Sequence, residues 1–403
     1  MRMGKGKKYL SLVVVLAAVA LVVTGCGGST TGTGSSTGGT SAVTVHIGIG
    51  APLTAGATAL GQGMLRAANL AIKDMNATPE AKAAKITFVG VPGDDQGDPK
   101  TGVNVANQFA SDPALVGVMG HLNSGVSIPA SAVYSRANIV MISPASTNPA
   151  LTQGGLKNVF RVCTTDAVQG PAAADDAITK LGKKSVFVVD DSTPYGTGLA
   201  DQFAKEFQAK GGKLLGREKT GDKDTDFKAL VTKIAATNPD LVYYGGIYNA
   251  GALLSKQLKD GGVKVPMMGG DGLYDPQYIV LAGKANAEGD YATSVGAPIA
   301  DAPGGAAFLT AYAKEYPNDK PAAYDAYSYD AANVIMKSVL KAAGSVGADK
   351  VTSAAGRQAI IADVASFKGT GVTGDISFDA NGDTTNKVIT LYTVTGGAWA
   401  TAK

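Results

Sequence analysis

The sequence predicts an α/β protein built from two doubly wound, parallel-sheet lobes. Three observations carry that prediction. From residue 43 onward, short β-branched apolar runs alternate with longer stretches of helical spacing, the rhythm of parallel sheets covered by helices on both faces. That rhythm runs through once, pauses after NIVMIS, and restarts. The chain of 403 residues is also longer than one core usually serves.

The elements follow in order. VTVHIGI (43–49) reads as a strand and GMLRAANLAIKDMNA (63–77) as an amphipathic helix. ITFVGV (86–91) is the next strand. Asp98 as a cap and Pro99 at the first helical position open a helix over 98–110. LVGVMG (115–120) and IVMIS (139–143) are strands. The second series has VFRVC (159–163), a helix over 170–182, and the strands SVFVVD (185–190), LVYYGG (241–246) and VPMMGG (265–270). FAKEFQAKG (203–211) and DFKALVTKIAA (226–236) are its intervening helices. The last hundred residues are less regular. AFLTAYAKEY (307–316) and YDAANVIMKSVLKAAG (329–344) are helical. GDISFDANGD (374–383) and KVITLYTV (387–394) read as a terminal strand pair around a turn.

The N-terminus stands apart from this pattern. Arg2, Lys5, Lys7 and Lys8 precede LSLVVVLAAVALVV (10–23), an apolar run too short for an ordinary membrane span. A basic start, a short apolar stretch and small residues make residues 1–25 an export signal. Residues 27–42 are Gly, Ser and Thr with one final Ala. Such a segment cannot build a core and spans roughly 20 Å as a flexible coil. Four basic and no acidic residues lie in 1–25, so the remainder carries 32 basic against 33 acidic. That balance gives no case for a nucleic-acid partner.

The chemistry is sparse. His46 lies in the first strand and His121 in a loop, neither at metal-ligand spacing with a Cys or a carboxylate. GSSTG (34–38) matches a nucleophile-elbow pattern but has no strand before it. Cys163 sits on an apolar strand, where a lone thiol is ordinary packing. No catalytic residue, cofactor or metal is expected.

Two loops stand out instead. GHLNSG (120–125) and PASTNP (144–149) each follow a buried strand. In open parallel sheets, ligands bind beyond the carboxyl ends of the strands, where strand order reverses. Small residues there let backbone approach, helix N-termini favour an anion, and Ser124, Ser146 and Thr147 offer hydroxyls. Each loop alone also reads as a capped turn. MMGGDG (267–272) sets Asp271 at another strand end, either a turn residue or an acid for a ligand ammonium. Donors in one lobe and an acid in the other suit a zwitterion held between them.

These residues carry a resemblance. IGIGAPLTAGATALGQGMLRAANLAIKDMNA, DDQGDPKTGVNVANQF, GHLNSGVSIPA, MISPASTNPALT, VFRVCTTDAVQGPAAA, PYGTGLA, DLVYYGG and MGGDG occur in a familiar order and spacing. From residue 43 to its end, the chain closely resembles the branched-chain amino acid (leucine/isoleucine/valine) binding proteins of ABC transporters, which are type I periplasmic binding proteins. The VTGC stretch resembles a lipobox, which implies that Cys26 carries a lipid and that 26–42 is a tether.

The resemblance implies two lobes joined by three crossings, divided as 43–165 with 294–370 and 166–293 with 371–403. It implies that Ser124, Ala145 and Thr147, with Asn123 and Ser146 beside them, hold the ligand's carboxylate and ammonium, and that Asp271 receives the ammonium. Tyr195 and Tyr324 fall where aromatics line the side-chain pocket, with Leu122 at its floor. Leu60 and Ile247 replace tyrosines of some relatives, and Tyr248 stands ready to compensate. Some relatives join the positions of Gly97 and Asn123 by a disulfide, and both cysteines are missing here. The implied function is an exported, lipid-anchored, monomeric receptor that delivers a neutral amino acid to an ABC permease. The same fold binding an amide, urea or an aromatic acid, or a sensor for a membrane partner, stays open.

Overall fold

The computed structural model describes residues 42–402. The export signal, Cys26 and the tether up to residue 41 lie outside the described residues. Fourteen strands are described: β1 (Val43–Ala51), β2 (Ile86–Asp94), β3 (Leu115–Gly120), β4 (Val140–Ser143), β5 (Val159–Arg161), β6 (Ser185–Asp190), β7 (Lys213–Lys219), β8 (Leu241–Gly245), β9 (Met267–Gly269), β10 (Tyr291–Val295), β11 (Lys368–Gly371), β12 (Gly374–Ser377), β13 (Ile389–Thr395) and β14 (Ala398–Thr401).

The first sheet runs β2-β1-β3-β4-β5 and is parallel throughout. Strands β3 and β4 are buried at every position, as expected for strands covered on both faces. Helices Thr58–Ala77 and Asp325–Val346 cover one face, while Pro99–Ser111 and Ser124–Arg136 pack together on the other. The Asp98 cap forms, its carboxylate accepting from the Thr101 N–H at 2.8 Å. The second sheet runs β14-β13-β10-β9-β8-β6-β7. Its parallel part repeats the plan of the first, and β13 and β14 extend it antiparallel. In both sheets strand order reverses beside the first strand, between β1 and β3 and between β6 and β8, which is where such folds bind ligands.

Three differences from the sequence reading have physical causes. VFRVC does not open the second series, because β5 pairs with β4 as the edge of the first sheet. GDISFDANGD and KVITLYTV are not a hairpin. β12 pairs with β11, whereas β13 pairs with β10 and β14, since apolar alternation marks a strand but not its partner. Strand β7 escaped notice because KLLGREK is a half-buried edge without a continuous apolar run.

The chain passes between lobes after β5, after β10 and between β12 and β13. The segment limits 294 and 371 read from the sequence fall within β10 and at the end of β11, so the second and third crossings lie a few residues later. Among the described residues, no helix is long and apolar enough to cross a membrane.

Candidate functional site

The loop after β3 is built by exclusion. Gly120 has φ +140°, and a Cβ there would sit 2.3 Å from the Gly50 carbonyl oxygen. Any side chain would break the β1–β3 contact at the switch point. His121 then turns inward and is fully buried. Its Nδ1 lies 2.6 Å from Asp95 Oδ2 and its Nε2 lies 2.8 Å from the Tyr134 hydroxyl. His121 is thus a brace inside the lobe, and its carbonyl accepts from the Ser143 hydroxyl at 2.8 Å.

The second loop is tied to the first. The Ser146 hydroxyl donates to Leu122 O at 2.9 Å and also meets Ser127 Oγ at 2.7 Å. Ser146 therefore joins the loops rather than facing the cleft. Ser124 Oγ accepts from the Asn148 N–H at 3.2 Å. Helix Ser124–Arg136 starts at this residue, and its cap Asn123 makes no side-chain capping bond. The Val126 N–H turns back to Asn123 O at 2.9 Å, so the N–H groups available to an anion at this terminus are those of Ser124 and Gly125.

A cavity of about 390 Å³ separates the two switch points. Leu60, Leu122, Asn123, Ser124, Ala145 and Tyr324 line it from the first lobe, and Tyr195 and Ile247 from the second. Gly97 and Asn123 are neighbours there, a Cβ on Gly97 falling 3.4 Å from Asn123 Oδ1. Tyr248 does not line this cavity. It is buried and borders a separate depression with Gln62 and Arg66, because it begins a helix whose neighbouring residue, Asn249, faces the cleft.

Asp271 lies behind the cavity wall, 1% exposed. The Tyr195 and Tyr324 hydroxyls, whose rings line the cavity, donate to its two carboxylate oxygens at 2.9 and 2.7 Å. Burial pushes the Asp271 carboxyl above its usual range, and those hydroxyls partly offset the shift. Thr147 is also buried behind the wall. Its hydroxyl faces Asp166 without a well-aligned hydrogen bond.

Asp166 is the residue the sequence reading missed. It is fully buried, and both its carboxylate oxygens lack a partner. Burial pushes its carboxyl from 3.8 up to about 8, with Asp271 adding repulsion. The available signal was an acid opening a helix just after the first crossing, in TTDAVQG. Two desolvated acids behind one wall form a site that a ligand cation would stabilise.

This arrangement has a testable consequence of opposite signs. Between pH 4 and 8 the unfolded chain holds fewer protons at residue 166 than the folded chain, so this residue makes ligand-free stability fall as pH rises through that window. Asp166→Asn is expected to raise the ligand-free melting temperature at pH 8 and leave it little changed at pH 4. The same substitution is expected to weaken binding of an ammonium-bearing ligand. Melting curves at the two pH values check the first part and calorimetry the second.

Residues 44–398 match the periplasmic binding protein family model. The chain is 36% identical over 339 residues to a Leu/Ile/Val-binding protein homolog 1 of Brucella abortus (strain 2308), covering 84% of this chain and 87% of that one. It superposes on a leucine binding protein LivK from Thermotoga maritima with TM-score 0.79 and 28% identity, over 89% of this chain and 98% of that one. The branched-chain amino acid transporter substrate binding protein LivJ of Streptococcus pneumoniae, in complex with isoleucine, gives 0.76 and 25%, over 89% and 100%. Both the switch-point cleft and these matches lead to one conclusion: the chain belongs to the periplasmic binding protein family, with the type I fold.

Proposed function

We propose that this protein captures a neutral amino acid with a branched aliphatic side chain between its two lobes and presents it to an ABC permease. The observation that supports this reading is a single cleft with chemically opposite walls. One wall carries the helix N-terminus at Ser124. The other is backed by the buried acids Asp271 and Asp166. The ligand carboxylate takes the Ser124 hydroxyl and N–H and the backbone of Ala145. Its ammonium is drawn to Thr147, Asp271 and Asp166 by charge-assisted hydrogen bonds. Leu60, Leu122 and Ile247 give the side chain an aliphatic wall, and Tyr195 and Tyr324 flank it.

Contacts from both lobes favour the closed state, so ligand binding shifts the hinge toward closure. The site binds without reacting. Its hydroxyls serve as hydrogen-bond partners, and His121 is committed to Asp95 and Tyr134. Family membership implies an extracytoplasmic place of action. In this reading Cys26 bears the lipid, the tether reaches from the membrane, and the receptor works as a monomer.

The test is calorimetric titration of the chain, unfolded and refolded to strip any carried ligand, against the twenty amino acids. Leucine, isoleucine and valine are expected to bind with one-to-one stoichiometry. Binding only to other amino acids would keep the zwitterion clamp and overturn the aliphatic pocket. Failure of every amino acid would overturn the clamp.

A further inference from the structure

A second cavity, of about 500 Å³, lies at the hinge. Its walls come from both lobes. Tyr392 and Trp399 stand on β13 and β14, Ile279 and Val280 on helix Pro276–Ala282, and Tyr327 on helix Asp325–Val346. The second crossing, through Ala297 and Ile299, completes it.

The aromatic wall is pre-assembled. Tyr274 stacks on Tyr392 with centroids 4.1 Å apart, and Trp399 tilts against Tyr274 at 5.8 Å. Its polar ends are already engaged. Trp399 Nε1 donates to Asp275 O at 3.0 Å, and the Tyr327 hydroxyl donates to Val295 O at 2.8 Å. The faces of these rings give the cavity an apolar wall suited to an aryl or alkyl body, with Ser294 and Thr373 as polar side chains beside it. Val280, at the lip, is 68% exposed and extends the apolar surface to the mouth of the cavity.

The rim is cationic. Lys284 and Lys320 both border the cavity and are exposed. Neither is among the ion pairs of the described residues. The acid nearest in sequence to Lys284, Glu288, is occupied by the Gly396 N–H at 3.1 Å. The Lys284 stem lies along Gly397, where a Cβ would sit 3.0 Å from Cδ. A larger residue at 397 would push the lysine off the rim.

We propose that this hinge cavity is a second ligand site, separate from the cleft, for a small monocarboxylate with an aryl or alkyl body. Apolar walls of this volume suit a drug-sized ligand, and two unpaired lysines at the mouth select one that carries a carboxylate. The site is coupled to the cleft by construction. Ala322 and Ala323, which directly precede Tyr324, and Ala326 and Tyr327, which follow Asp325, border the cavity, and the Tyr324 hydroxyl donates to Asp271. An occupant that prefers one lobe arrangement must change leucine affinity, and leucine must change its affinity by the same factor.

The test uses the full chain and 4-phenylbutyrate as probe. Titration is expected to show one site that remains when leucine is saturating. Lys284→Gln with Lys320→Gln is expected to weaken the probe about fivefold, the scale of an exposed charge pair. Ala398→Trp, on an exposed strand position at the cavity wall, is expected to abolish probe binding while leucine still binds. The proposal is overturned if the probe fails to bind at millimolar concentration, if leucine displaces it one for one, or if both variants bind it like the parent chain. A leucine titration run alone separates these results from failure of the amino-acid reading.

Discussion

Asp271→Ala is expected to weaken amino-acid binding by about a hundredfold or more, the scale of removing one partner from a buried charge pair. The carboxylate is desolvated and held by two tyrosine hydroxyls whose rings form the cavity wall. An ammonium meeting that wall gains a full charge partner in low-dielectric surroundings. Asp271→Asn keeps the size and one acceptor and removes the charge, so it separates electrostatics from shape. Both variants are expected to lose affinity in calorimetry and to retain the fold, because burial of this acid already opposes its charged form. If Asp271→Ala binds as the parent chain does while Ser124→Ala abolishes binding, the ligand carries no ammonium. The amide, urea and aromatic-acid alternatives then come forward.

The largest effect on stability is expected from Arg161→Met. Arg161 is fully buried at the end of β5. Its Nε donates to Asp383 Oδ1 at 2.5 Å, and one terminal nitrogen donates to Ser146 O and Asn148 O at 2.7 and 2.9 Å. The other reaches Thr152 Oγ1 at 2.7 Å. A single guanidinium thus fastens the 144–149 loop to the third crossing. Methionine fills similar space but removes the charge partner of Asp383, whose Oδ1 keeps the Thr152 hydroxyl as a donor at 2.9 Å, and it takes the guanidinium donor from Ser146 O. The expected loss is about 3–5 kcal/mol, the cost of removing one partner of a buried ion pair. Urea denaturation measures it, and a loss under about 1 kcal/mol would mean that water replaces the arginine. Arg161→Met is also expected to weaken ligand binding, since the loop carrying Ala145 and Thr147 loses its support.

Much of the fold was legible because local rules and tertiary structure agree. The central strands are continuous apolar runs since both faces are covered, and Asp98-Pro99 starts a helix wherever it stands. GHLNSG and PASTNP were legible as loops at the carboxyl ends of buried strands for a similar reason. A strand that must end in free N–H groups and small hydroxyls needs those residue types whatever surrounds it. The resemblance then supplied Tyr195, Tyr324 and Leu122, which no spacing rule singles out.

Other features depend on what lies across the fold. Ser146 looks like a ligand donor in sequence, yet its hydroxyl is consumed by Leu122 O and Ser127. Tyr248 looks like a pocket residue, yet one position along the helix turns it to another surface. Asp166 looks like a helix start, and only burial beside Asp271 makes it an acid poised near 8. The hinge cavity draws on residues from 274 to 399, and no local pattern foretells their meeting.

The sequence by itself determined the alternation of strands and helices, the two loops at the switch point of the first sheet and the family. These rest on periodicity, capping and residue size, which act over a few neighbours along the chain. Tertiary structure alone decided strand partners, the burial of Asp166 and Asp271 and which hydroxyls remain for a ligand. Desolvation and hydrogen-bond satisfaction depend on atoms brought close from distant parts of the chain, and those distances exist only once the lobes have packed.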